Sequence, residues 1–236
     1  MDLNYTTLFQ SLESRFQSAA TIPQSKWPIL TIATLAASPN PNHAHNLYLY
    51  LTSKSEYQTP SSRQSLVRRL REALVKCIPL VGVCKPIEAI LAINSVECEE
   101  DKDYTTFTRE NWQCNESNHQ RGVEWFEKLY RGNAAATLDL FAAHRDFAWL
   151  SMEITYGLFL SDRQVLDDLD TQLVVLPAIM SQDLRTETHW HIRGTRRLGV
   201  TLEDVRVVWE CVQMVTGFFG GRLERVPTVE EVEPDV

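Results

Sequence analysis

The chain has 236 residues and no uninterrupted apolar run of the length a membrane-spanning helix needs, so no membrane contact of that kind is expected. It also lacks a basic start followed by an apolar block. The opening MDLNYTTLFQSLESRF therefore does not read as a secretory signal, and Asp2 and Glu13 argue against a mitochondrial transit peptide. The closing EEVEPDV is not a peroxisomal tripeptide. Positive charge is scarce: the formal net charge is -8. Phosphate neutralisation needs a basic stripe, so nucleic acid is not an expected partner. The short clusters Arg68, Arg69, Arg71 and Arg193, Arg196, Arg197 fall within helical patterns and read as solvated helix faces. A disulfide framework is missing too. Five cysteines, an odd number at irregular spacing, point to a reducing compartment, and the expected location is cytoplasmic. No ligand cluster of recognised metal spacing is present, so a metal is not expected.

What the chain does have is apolar content, 44% of residues, and helical periodicity. Leu3, Thr7, Leu8, Leu12 and Phe16 recur at helical spacing over residues 2–18. Trp27-Pro28 opens ILTIATLAA as a short buried helix, and Ser38–Asn46 is a turn by composition. His43 and His45 in it read as exposed turn or capping residues. LYLYL at 47–51 fits a buried helix edge, and 52–62 a polar loop. Ser65–Val81 is amphipathic through Leu66, Leu70, Ala73, Leu74, Cys77, Leu80 and Val81, with Pro79 bending or ending it. A further helix is expected from Pro86 to Ser95.

Residues 97–119 are polar and acidic and read as an exposed, mobile insertion. Helices resume at Gln120. The aromatic-aliphatic stripes of RGVEWFEKLY and of residues 137–160 read as core. A Ser161-Asp162 cap is expected before the apolar segment that follows. No strand set emerges, so the fold class is all-α. The chain reads as a single domain over 1–236. Its first half is about 20–96, the insertion about 97–119, the second half about 120–222 and the tail 223–236. Residues 70–84 can be laid on 205–219, with Arg71 on Arg206 and Gly82 on Gly217. ILTIATLAAS also resembles LVVLPAIMSQ, which makes a duplicated helical unit plausible.

The most informative stretch is ETHWHIRGTRRLGVTLED, residues 187–204. His189 and His191 are two apart, roughly 200° around a helix, so they point away from each other. A zinc pair on one helix prefers i, i+4 spacing, so this is a poor metal site. His189 shares a face with Arg185, Arg193 and Arg196, a basic edge or subunit contact. His191 shares its face with Glu187, Thr195 and Leu198. A carboxylate beside an imidazole raises its pKa and suits it to move protons near neutrality. A satisfied structural pair in a helical core fits the same spacing equally well. Gly199 suits a left-handed helix end, and Thr201 an N-cap with Asp204 as its capping-box partner.

Residues 187–220 resemble the signature helix pair of the carboxymuconolactone decarboxylase family, within the alkyl hydroperoxidase D-like (AhpD-like) superfamily. Glu187, His191, Ile192, Gly199, Val200 and Thr201 match its pattern Glu-Leu-x-x-His-Ile-x-x-Ala-Leu-x-x-Gly-Val-Thr. RLREALVKCIPLVGVCKPIEAIL, residues 69–91, is similar to the partner segment of longer, two-part fungal-type members. The resemblance covers most of 27–96 and 120–222. It implies an AhpD-like helical fold of two pseudo-repeated units and a homo-oligomer.

Two chemistries go with this superfamily. The peroxidase branch uses Cys-x-x-Cys, whose positions fall here on Leu184 and Glu187, and a relay glutamate, which falls on Gln172. No Cys-x-x-Cys occurs in the chain, and thiol chemistry needs an attacking thiolate. The decarboxylase branch needs no cysteine. The resemblance then implies cofactor-independent decarboxylation or isomerisation of a small carboxylated or lactone-type molecule. His191 would be general acid/base, Glu187 its orienter, and Tyr156 and Gln172 polar groups on the substrate. Two other readings stand beside it. One is a non-catalytic helical ligand-binding or assembly protein, which predicts His191 sealed in the core with no adjoining cavity. The other is a thiol-dependent peroxidase using unpaired cysteines.

Overall fold

A computed structural model describes residues 4–236 and contains helices and connecting loops, with no strand among the described residues. The all-α expectation holds. Asp2 and Leu3 lie outside the described residues.

At the centre, two short helices pack against each other. α1 (Tyr5–Phe16) precedes the first of them, α2 (Trp27–Ala37), in which every residue is buried. Pro28 in the first turn costs no hydrogen bond there. α3 (Ala44–Thr52), α4 (Pro60–Val81) and α5 (Cys84–Asn94) complete the first half. The second half runs through α6 (Glu116–Tyr130), α7 (Ala134–Asp139), α8 (Arg145–Trp149) and a π-helix, Leu150–Leu160. Then come α9 (Asp168–Met180), α10 (Arg185–Arg197), α11 (Leu202–Phe218) and α12 (Val229–Val232).

α9 is the second central helix, buried from Asp170 to Met180. α2 lies on α9; α4 packs on both, and α11 packs on α2 and on α9. The segments matched by sequence, α2 with α9 and α4 with α11, thus share one core, and each central helix carries the other half's long helix. Leu30, Ile32, Leu70, Leu173, Leu176 and Val208 are all at most 1% exposed in this core. Each such side chain contributes about 1.5–3 kcal/mol through removal from water.

A second apolar cluster joins α6 to the π-helix through Trp125, Phe126, Tyr130, Tyr156 and Leu160. The two backbones nearly touch there. A Cβ added at Gly122 would lie 2.4 Å from the Met152 carbonyl oxygen.

The helix ends follow local chemistry. Gly82 and Gly199 adopt φ of 83° and 93°, so both end helices in the region glycine enters without steric cost. Thr201 caps α11, accepting from the Asp204 amide at 3.2 Å. Asp204 does not close a capping box. Its carboxylate accepts from the Ala20 and Thr21 amides instead, tying the α1–α2 loop to α11. The cap before α9 is Asp167, in a capping box with Asp170, rather than Ser161-Asp162. Asp162 is 1% exposed and sits 3.6 Å from Arg109.

Several surface expectations change. The polar loop is shorter than expected, because α4 already starts at Pro60. His43 is half-buried and stacked on Phe219, with ring centroids 5.7 Å apart. Arg68 pairs with Asp103 and Arg69 with Asp170, so this face is neutralised by carboxylates rather than simply solvated. The acidic segment is held in place. Asp101 is buried against Arg63, Arg109 bonds both oxygens of buried Glu72 at 2.7 Å, and α6 already begins at Glu116. The stripe over 137–160 divides: Met152, Tyr156 and Leu160 are core, while Leu140, Phe147, Trp149 and Leu150 are exposed.

Candidate functional site around His191

His191 sits midway along α10, on the side that packs against α6 and α9. It is 5% exposed. Its Nδ1 lies 3.3 Å from Gln172 Oε1 on α9, which makes Nδ1–H the donor. The amide of Gln172 donates through Nε2 to Thr195 Oγ1 at 3.3 Å, and that hydroxyl donates to the His191 carbonyl at 2.7 Å. The three residues form a ring that closes through the His191 main-chain carbonyl, and Gln172 and Thr195 are both fully buried. Gly194 makes room for it: a Cβ there would stand 3.1 Å from Gln172 Nε2.

The expected His191–Glu187 hydrogen bond does not form. No hydrogen bond joins the two among the described residues, and Glu187 is half-buried near Tyr130. The i, i+4 spacing placed both on one helix, but His191 turns inward to α9 and is met there by an amide. The expected pKa direction reverses as well. Burial, helped by the Arg193 guanidinium, lowers the His191 pKa to about 4. At neutral pH the imidazole is uncharged, and proton transfer works best with a group whose pKa lies near the operating pH.

Tyr156 is also buried, on the π-helix. Its hydroxyl lies 3.1 Å from that of Tyr130. Tyr130 meets His191 edge-on at 6.4 Å between ring centroids, so it links Tyr156 to the histidine. Burial pushes the Tyr130 phenol up to about 12 and that of Tyr156 well above its ordinary value. Of the four residues singled out by sequence, His191 and Gln172 touch; Tyr156 lies one residue further, and Glu187 stands aside.

Tyr130, Thr195 and Arg193 complete the surroundings. Thr195 stands on the His191 face, where its place four residues on put it. Nothing in the local sequence marks Tyr130, which arrives from another helix. Arg193, expected on a solvated basic edge, is 7% exposed. His189 does keep an outer position, where its Nε2 pairs with Asp235 at 2.9 Å. Arg196 pairs with Glu233, so the C-terminal tail covers this edge.

Three clefts of ligand size lie away from His191. Clefts of about 610, 600 and 580 Å³ open beside Trp125, beside Thr216 and beside Arg69 respectively. None of these, nor the two smaller ones at Gln64 and Glu13, is lined by His191, Glu187, Gln172 or Tyr156. Among the described residues no three His, Cys, Asp or Glu side chains converge as a metal would require. The cysteines are unpaired: Cys77 and Cys211 are buried, and Cys84, Cys98 and Cys114 are exposed. Burial raises the thiol pKa of both buried ones, that of Cys211 to about 12, which suppresses the reactive thiolate. No described helix is long and apolar enough to cross a membrane.

Over 142 residues, 60% of this chain and 65% of the relative, the sequence is 30% identical to peroxisomal protein 2 of Schizosaccharomyces pombe. The match therefore spans a little under two thirds of that relative. No family profile matches the chain. No solved structure matches it either.

Proposed function

We propose that this chain is a non-catalytic helical ligand-binding protein on the carboxymuconolactone decarboxylase-like plan, in which His191 serves the core rather than a reaction. The observation that carries this reading is the state of His191: buried, uncharged at neutral pH, closed in a ring with Gln172 and Thr195, and outside the clefts described above. A catalytic histidine needs a path for substrate and a pKa near working pH.

The competing reading makes His191 the acid/base of a decarboxylase or isomerase, with Glu187 as its orienter. A CO2-release assay on 4-carboxymuconolactone separates the two. The expected result is no turnover that depends on His191. Release of CO2 by the natural chain that disappears in His191→Gln would overturn the ligand-binding reading.

Self-association belongs to the same proposal. Val83, just before α5, and Ile87 and Leu91 within it recur every four residues and are 48%, 47% and 60% exposed, an apolar stripe that a second copy would cover. Sedimentation of the purified chain reads this directly. The name of the fission-yeast relative supports a peroxisomal location over the cytoplasmic one expected from sequence. Imaging of the tagged full chain against a peroxisome marker tests it.

A further inference from the structure

Arg193 is 7% exposed on α10, and among the described residues its guanidinium makes no hydrogen bond and no ion pair. Its Nε is enclosed without an acceptor. The two terminal nitrogens are not enclosed, so the small part of Arg193 left open includes them. The acidic groups of this edge are used elsewhere: Asp235 pairs with His189 and Glu233 with Arg196. Arg197, one turn further on, is met by the Leu129 and Tyr130 carbonyls. A guanidinium removed from water without a counter-charge is costly, and buried charges are ordinarily paired.

A second donor beside it also lacks an acceptor. The Tyr130 and Tyr156 hydroxyls share one hydrogen bond at 3.1 Å and bond nothing else among the described residues. Two phenols hold two protons, and that bond uses one of them. Both side chains are buried, Tyr130 at 4% and Tyr156 at 6% exposure. The Arg193 charge acts on the Tyr130 phenol and on the His191 imidazole, favouring the ionised form of the first and the neutral form of the second, so the guanidinium stands near both.

These groups set the chemistry of an occupant. A guanidinium and a phenolic O–H, each without an acceptor, suit the oxygens of an oxyanion. Glu187 also lies near Tyr130, forms no ion pair with Arg193, and opposes a second negative charge. We propose that the α6–α10 junction beside His191 binds a singly charged oxyanion group of a small molecule, held by Arg193 and the Tyr130–Tyr156 hydroxyl pair. The site rests on the ligand-binding function proposed above and gives it a location and a ligand class.

NMR titration of the histidine ring protons in the full chain tests the proposal. The probes are methanesulfonate, which stays ionised throughout the His191 range, and sulfate as the dianion. Methanesulfonate shifts the His191 signals saturably and raises the His191 pKa, because a negative charge beside the imidazole favours its protonated form. Exposed His144 does not respond, and sulfate binds more weakly. Arg193→Gln abolishes the saturable response, and Tyr130→Phe weakens binding by about fivefold. Without added anion, Arg193→Gln melts no lower than the natural chain, since the guanidinium has no partner in the chain to lose.

No saturable response, an equal response in Arg193→Gln, or tighter binding of sulfate overturns the site and leaves the non-catalytic reading to the CO2 assay. A much lower melting temperature for Arg193→Gln means that the chain itself satisfies the guanidinium, and overturns the site as well. A natural dimer that Arg193→Gln dissociates gives the guanidinium to a carboxylate of a second copy and overturns the small-molecule assignment. A response that follows Arg193 together with CO2 release that follows His191 upholds the site and overturns only the non-catalytic reading.

Discussion

His191 and Gln172 meet across the α9–α10 interface, imidazole Nδ1 to amide Oε1 at 3.3 Å, with both side chains buried. An amide in this place accepts a hydrogen bond from the imidazole N–H without supplying charge. A carboxylate there would favour the imidazolium instead. This pairing explains why burial governs the state of the histidine.

The first prediction concerns pH. The His191 pKa is lowered from 6.5 to about 4 in the folded chain. Between those values the unfolded chain holds a proton that the folded chain does not. The contribution is complete above about pH 6.5 and declines as pH falls towards about 4, by about 3 kcal/mol in all. Urea unfolding of the natural chain and of His191→Gln, compared across that window, measures it. Equal pH slopes for the two proteins would contradict the burial argument.

Gln172→Leu removes the partner of both His191 Nδ1 and Thr195 Oγ1. Two buried polar groups then lose a bond each, and stability should fall by about 1–3 kcal/mol. Gln172→Glu should instead raise the His191 pKa, which the imidazole proton shifts report in an NMR titration. A histidine that still titrates near pH 4 beside the new carboxylate would show that the two side chains are not in contact.

Arg109 makes two bonds at 2.7 Å to Glu72, which is 4% exposed. Arg109→Ala strands that carboxylate with only Lys76, 3.7 Å away, and should cost about 3 kcal/mol. It also removes one of the ties that hold the 97–119 segment to α4. Limited proteolysis should then cut within that segment much faster than in the natural chain. Unchanged cutting would mean that the other pairs, Arg63–Asp101 and Arg68–Asp103, hold it alone.

Gly122→Ala tests the contact between α6 and the π-helix. Alanine favours a helix, but its Cβ would meet the Met152 carbonyl at 2.4 Å, where only backbone can yield. A net loss of about 2–3 kcal/mol is expected from the forced separation. Thermal melting reads it, and a more stable variant would refute so close an approach.

Local features of this chain were legible because their causes are local. Pro28, Thr201 and Gly199 mark helix ends through restraints within a few residues of themselves, and each stands where it was expected. The apolar periodicity of 65–81 located the buried face of α4, because a helix repeats its faces whatever surrounds it. The same rule divided His189 from His191, sending one outward to Asp235 and the other inward.

Spacing failed where the outcome depended on what arrives from elsewhere. Glu187 and His191 are on one helix at i, i+4, yet α9 brings Gln172 to the imidazole and the carboxylate stays aside. The acidic run 97–119 is polar in composition, but opposing arginines on α4 neutralise and seat it.

The sequence by itself determined the fold class, the helix boundaries that proline, glycine and capping residues mark, and which histidine faces inward. Those outcomes depend on backbone sterics and on short-range periodicity. Only the tertiary structure decided the partner of His191, its protonation state, and where ligand-sized space remains. Those depend on desolvation and on side chains that are distant in sequence, and both exist only after the helices have packed.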